Sequence, residues 1–485
     1  AWLALAALAL AGCATRPSLP ESGAERGALC HAQFARVDAA VARADVGDAG
    51  AARIDGFPWL RVTRPLASFR DEVDTDSRFD AWLQRLTETA ATARRHELAN
   101  LPTDARRALA GAWRERATAS GLPGGLRAGL AACRQMLNER LRADAADRQR
   151  LRAAAAVPDE YATWHRVAGF YPVARRVARP RIEAYQRERA VAFGAAAEAP
   201  VRRYAVDSEG GGDAAAVARA VERDALGIPR PSARARARLL GAHAPVWAVA
   251  TAGAADHPGA LRLDERARPF ADSERPAEYR RLSFTRFRGE ILLQLNYMIW
   301  FPERPGDGID LYAGHLDGVI WRVTLAPDGT PLAYDSIHPC GCYYTLFPAD
   351  GWRVPSMPPA AEPVASPADA PGRAPDERVV VRLEPGTHYL ADVDTVARPA
   401  DARDLAPLSF RRLRSLPRPD GGSASAFAPD GLIPASARLE RFVLWPFGVP
   451  SAGAMRQWGT HAIAFVGRRH FDDARLLERL LEPEG

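Results

Sequence analysis

The chain has 485 residues, 47% hydrophobic and 26% charged, a globular composition long enough for two or three domains. All 65 basic residues are arginine, which excludes chemistry needing a lysine amine: nucleotide phosphate loops of the Walker type, kinase phosphotransfer and Schiff-base catalysis. The formal charge of +6 is spread along the chain without a dense basic run interleaved with aromatics, so no nucleic-acid partner is expected.

Residues 2–12 are uninterrupted apolar and small side chains, fewer than the ~20 needed to span a bilayer but suited to the apolar region of an export signal. They end at Leu10-Ala11-Gly12-Cys13, which resembles the lipobox of bacterial lipoproteins. That resemblance implies a signal segment over 1–12, preceded by a charged start, and acylation of Cys13. Several acyl chains at ~0.8 kcal/mol per buried methylene would anchor the protein to a membrane. Ala14, in place of Asp, implies the periplasmic face of the outer membrane. Residues 13–28, rich in Pro, Ser, Gly and Glu, read as a flexible tether.

The first half reads as helical. Phe79, Trp82, Leu83, Leu86 and Ala90 recur at helical spacing, with Asp76 or Ser77 as the cap. A second helix starts at Thr103, and a third runs from Leu126 to Ala155. Another follows Pro158 through Val167, is interrupted at Tyr171-Pro172, and resumes toward Phe193. Gly210 to Gly212 reads as a flexible break. The second half is β-prone: 290–301, 309–313 and 318–325, then an Asp328-Gly329 hairpin turn into 331–337. Further strands are expected over 378–383, 389–393, 441–445 and 461–466, with a closing helix at 476–481. The Pro/Ala-rich stretch 355–375 reads as an exposed loop. The expected architecture is α+β. A helical domain (29–208) and a linker with a short helix (209–240) precede a mostly antiparallel β-rich domain (241–485).

Four cysteines remain beyond Cys13. Cys30 and Cys133 both fall in the helical half and are expected to form a disulfide. Cys340 and Cys342 differ, with one glycine between them and His338-Pro339 before. Three chemistries compete there: ligation of zinc or copper with His338 and a distant His, an adjacent disulfide, or a nucleophile activated by histidine. The single-residue gap is shorter than usual zinc spacing. His315, His388 and His461 each sit at a turn or apparent strand start, placed to converge with His338 at one end of the sheet. Asp317 and Asp335 are the candidates for orienting an imidazole.

Other features carry less. His96-Glu97-Leu98-Ala99-Asn100 opens like a zinc-protease helix but lacks its second histidine, and no Gly-x-Ser-x-Gly elbow appears. Trp164 through Arg181 combines aromatics with arginines, as a helix resting on anionic lipid would. A solvated helix face reads equally well. Trp300, Phe301, Tyr312 and Trp321 read as core or as a sugar- or peptide-binding groove. The first expectation is therefore a non-enzymatic binding or structural lipoprotein of the envelope, with a protein or glycan partner. The alternative is a metal-handling or thiol-dependent enzyme using His338, Cys340 and Cys342.

Overall fold

A computed structural model describes residues 23–196, 198–207, 213–374, 376–397 and 401–484. The lipobox, Cys13, most of the tether and Gly210 to Gly212 lie outside them. The fold is α+β, with helices mostly in the first half and predominantly antiparallel sheets in the second. The helices are α1 (Gly23–Arg43), α2 (Arg64–Ala67), α3 (Asp76–Asn100), α4 (Thr103–Ser120), α5 (Leu126–Ala143) and α6 (Ala145–Ala154). They continue as α7 (Thr163–Ala168), α8 (Tyr171–Ala192), α9 (Ala214–Arg219), α10 (Ala233–Ala242), α11 (Arg441–Leu444) and α12 (Leu476–Leu480).

The helical stripe read from the sequence is buried: Phe79, Trp82, Leu83 and Leu86 pack with Trp59, Trp113 and Leu137 in one core. The cap of α3 is Thr75, whose hydroxyl accepts from the Arg78 amide at 3.3 Å. Two expected boundaries move. The long third helix breaks at Asp144, whose carboxylate accepts from the amides of Ala146 and Asp147 and so starts α6. Tyr171-Pro172 opens α8, because proline in a first turn gives up no intrahelical hydrogen bond. The tether also ends early. Residues from Gly23 belong to α1, which buries Cys30, Phe34, Val37 and Val41 along one face. Cys30 is disulfide-bonded to Cys133 of α5, 103 residues away.

The second half is built on two sheets. Strands β1 (Val201–Ala205), β2 (Val246–Ala250), β8 (Glu377–Leu383), β9 (Leu390–Ala397) and β10 (Arg403–Asp404) form a five-stranded sheet ordered β9-β8-β2-β1-β10. Strands β3 (Ala277–Phe287), β4 (Glu290–Arg304), β5 (Gly314–Leu325), β6 (Pro331–Ile337), β7 (Thr345–Pro348) and β11 (Ala406–Ser409) form a six-stranded sheet ordered β7-β6-β5-β4-β3-β11. The apolar run of β4 divides between two cores by its twofold alternation. Leu295, Tyr297, Ile299 and Phe301 face the five-stranded sheet. Met298 and Trp300 face the C-terminal segment with Phe410, Trp458 and Phe471. Trp300, Phe301 and Trp321 are thus core, whereas Tyr312 is exposed.

Three expected strands do not form. Residues 309–313 are a loop, with Ile309 exposed. Residues 441–445 are helical, an ambiguity inherent to short apolar runs, and Pro446 and left-handed Gly448 end the turn. Residues 461–466 are buried but irregular, because side chains replace a neighbouring strand: Tyr161 donates to the Ala464 carbonyl, and Glu362 accepts from the amides of Phe465 and Val466.

Candidate functional site

The site forms where the end of β5 meets the turn between β8 and β9. Asp317 on β5 is fully buried and holds two imidazoles at once. His338 Nδ1 lies 3.1 Å from its Oδ1, and His388 Nδ1 lies 2.9 Å from its Oδ2. His388 enters from the turn of the opposite sheet, where its φ of 54° is left-handed, and stacks on Phe301 at 3.8 Å. Behind it, Asp256 lies 3.4 Å from Nε2 and is itself fixed by the amides of Ala252, Gly253 and Gly386. Arg438 completes the group, with Nη2 3.4 Å from Asp317.

The electrostatics separate the two histidines. Burial opposes the charge on His388, but the carboxylates of Asp256 and Asp317 outweigh it and hold its pKa above the usual value. Burial dominates at His338 and pushes its pKa down despite Asp317. The network thus favours the charged form at His388 and the neutral form at His338. With Nδ1 donated to Asp317, the lone pair of His338 lies on Nε2, which no described residue engages. Burial disfavours the Asp317 anion, yet His338 and Arg438 keep its pKa well below the ordinary range.

His338 lines a cavity of about 840 Å³ together with Cys340, Cys342, Tyr343, Tyr389 and Glu440. Arg304 donates to the hydroxyls of Tyr389 at 2.9 Å and Tyr343 at 3.3 Å, orienting two phenols on the wall. One side is closed by α8 through Val177, Ile182 and Tyr185.

Both thiols are free, Cys340 buried and Cys342 half-buried. The Cys342 amide donates to Cys340 Sγ at 3.4 Å. Burial disfavours a thiolate at Cys340, but the Cys342 thiol and the charge of Arg438 offset this and lower its pKa. Cys342 is pushed up, first by sharing its proton with Cys340 and then by burial. The two titrate as one unit, with an easy first proton and a difficult second.

The turn that presents them is fixed from both sides. The His338 amide donates to the Cys342 carbonyl at 3.0 Å, and Arg456 donates from its backbone to Pro339 and from Nε to the Cys340 carbonyl. Gly341 has a φ of 89°, and a Cβ there would sit 2.3 Å from the Ala462 carbonyl oxygen. Gly341→Ala is therefore expected to cost about 2 kcal/mol, from strain at positive φ and from the clash. The measurement is a denaturant midpoint, and an unchanged value would contradict this account of the turn.

Of the sequence candidates, His338, Cys340 and Cys342 share the cavity, and Asp317 brings His388 to them. The other two histidines do not line this cavity. His315 bonds the Pro269 carbonyl at 2.6 Å. His461 packs against Trp458 and Phe471 and lines a second cavity. Asp335 orients no histidine; it pairs with Arg322 and accepts from Tyr344. Among the described residues no three His, Cys, Asp or Glu side chains are placed to hold a metal ion. Arg438 and Asp256 were not read from the sequence; nothing local marks them, since each reaches the site from a separate turn outside the strands.

No family model matches the chain, and no curated protein or solved structure shows significant similarity to it.

Proposed function

We propose that the chain is a lipid-anchored protein of the bacterial envelope whose cavity performs thiol–disulfide exchange through Cys340 and Cys342. The observation that carries this reading is the pair of free thiols, coupled to one another in the wall of a cavity that also contains a pre-oriented neutral histidine.

In the reducing direction, the proton that the pair shares moves to Cys340, and Cys342, the more accessible sulfur, attacks one sulfur of a substrate disulfide as the thiolate and expels the other as a thiolate, which takes up a proton. The Cys340 thiolate then attacks Cys342 Sγ. A Cys340–Cys342 disulfide closes and the second substrate thiolate leaves, so two electrons pass to the substrate. The reverse sequence oxidises a substrate dithiol. His338 Nε2 accepts the thiol proton and returns it to the leaving sulfur.

The membrane part of the reading rests on Leu10-Ala11-Gly12-Cys13 and on one surface. Helix α8 buries none of its residues and, with α7, exposes Trp164, Val167, Phe170, Val173 and Val177. Arg175, Arg176 and Arg181 beside them form no ion pair among the described residues. An apolar strip edged by such arginines suits the surface of an anionic leaflet.

The test is equilibration of the full chain in glutathione buffers of graded potential, followed by thiol trapping and mass spectrometry. Cys340 and Cys342 are expected to change together in one two-electron step while Cys30–Cys133 stays oxidised. Cys340→Ser is expected to arrest reaction with a disulfide peptide at a mixed disulfide on Cys342. Independent modification of the two thiols, with no joint transition, would refute the exchange reading. Stoichiometric zinc or copper lost on Cys340→Ser would replace it with a metal site.

A further inference from the structure

A second cavity, of about 780 Å³, lies between α3, α10 and strands β3 and β4, and arginine dominates its charged lining. Four of these arginines have carboxylate partners: Arg85 with Asp224, Arg230 with Glu88, Arg280 with Glu278 and Arg414 with Asp48. Three do not. Arg236, Arg281 and Arg411 make no ion pair and no side-chain hydrogen bond among the described residues, although all three line the cavity. The acidic residues of the lining are engaged, Glu88 by Arg230 and Asp472 by Arg64 at 3.3 Å.

Arg281 is the most exacting of the three. Its guanidinium lies 4.9 Å over the Trp458 ring, and its buried Nε has no partner. Burial, and then the charges of Arg414 and Arg411, push its pKa down to about 9. A desolvated guanidinium facing other cations is unfavourable unless an anion joins it. Guanidinium groups match phosphate geometry through paired N–H donors. Beside the charged and polar groups lies an apolar surface, with Phe284, Met298, Ile320, Phe427 and Trp458 lining the same space. A bare inorganic ion would leave that surface unused.

We propose that this cavity binds an organic phosphate ester, its phosphoryl head on Arg281 and Arg411 with Arg236, and its apolar or aromatic body against Trp458 and the phenylalanines. The site is separate from the thiol chemistry and does not depend on it. One chemical link joins the two: Arg456 lines this cavity and donates to the Cys340 carbonyl at 3.2 Å.

The test uses the full chain with Cys13→Ser, so that no acyl group attaches. Calorimetric titrations with phenyl phosphate, pyrophosphate and citrate are compared with sedimentation on phosphatidic acid vesicles. Phenyl phosphate is expected to bind more tightly than pyrophosphate. Arg281→Met and Arg411→Ala are each expected to weaken it at least tenfold. Arg281→Met without ligand is expected to be at least as stable to denaturant as the parent, because it removes an uncompensated charge, so weaker binding cannot be put down to misfolding. Arg281-dependent binding to the vesicles would support the same site with a lipid head as the source of the ester; binding to the soluble probes alone would support a free ester. The proposal is overturned if neither the phosphate probes nor the vesicles bind, if the variants bind as the parent does, or if pyrophosphate or citrate binds more tightly than phenyl phosphate.

Discussion

Asp317→Asn is expected to destabilise the second half of the chain by about 4 kcal/mol, the scale for breaking a buried charged pair from one side. The carboxylate accepts from His338 and His388 and faces Arg438, all in a site closed to water. An amide keeps the shape but has a single acceptor oxygen, so one imidazole loses its partner. Arg438 then has no anion at Asp317, while its Nε and Nη1 already lack hydrogen-bond partners among the described residues. Tryptophan-detected chemical denaturation would measure the loss. Because the residues form one network, His388→Gln should cost less in the Asp317→Asn background than alone. An unchanged midpoint, or strictly additive losses, would show that the network is not the unit described here. The same substitution should slow cavity chemistry that relies on His338 by 100-fold or more, since an unoriented base has lost its tautomer as well as its position.

That network also marks the limit of what was legible in the sequence. Turn chemistry placed His338, Asp317 and His388 at strand ends, and the apolar run over 290–301 marked a strand. The sequence could not say which strand ends meet. Asp317 and His388 belong to different sheets, separated by 71 residues, and come together only because the two sheets pack face to face. His315 is two residues from Asp317, yet the intervening Leu316 has a φ of 60°, which breaks the alternation, and His315 reaches Pro269 instead. His461 follows the same Gly-Thr-His pattern as His388. It misses the site because 461–466 is held by Tyr161 and Glu362 instead of pairing as a strand. Local pattern identifies residues able to take part; long-range register decides which of them do.

His461 and His243 have a different consequence. Burial, reinforced by neighbouring arginines, lowers the pKa of each to about 3. The folded chain keeps both neutral, whereas the unfolded chain protonates them near pH 6.5. A folded pKa below the unfolded one means that stability is complete above pH 6.5 and is lost as pH falls toward 3. At pH 5 each residue should cost about 2 kcal/mol relative to pH 7, or about 4 kcal/mol together. Asp256, held at about 2 by His388 and three amides against the effect of burial, has the same sign but acts only below about pH 4, so it does not enter this window. Glu362 and Glu440 act in the opposite sense. Burial raises their pKa values, so acid relieves the cost of their charge and offsets part of the loss. The histidine share is isolated by difference: His461→Gln and His243→Leu should each shrink the gap in unfolding free energy between pH 7 and pH 5 by about 2 kcal/mol. If the gap is the same in parent and variants, the acid sensitivity does not arise from these two buried rings.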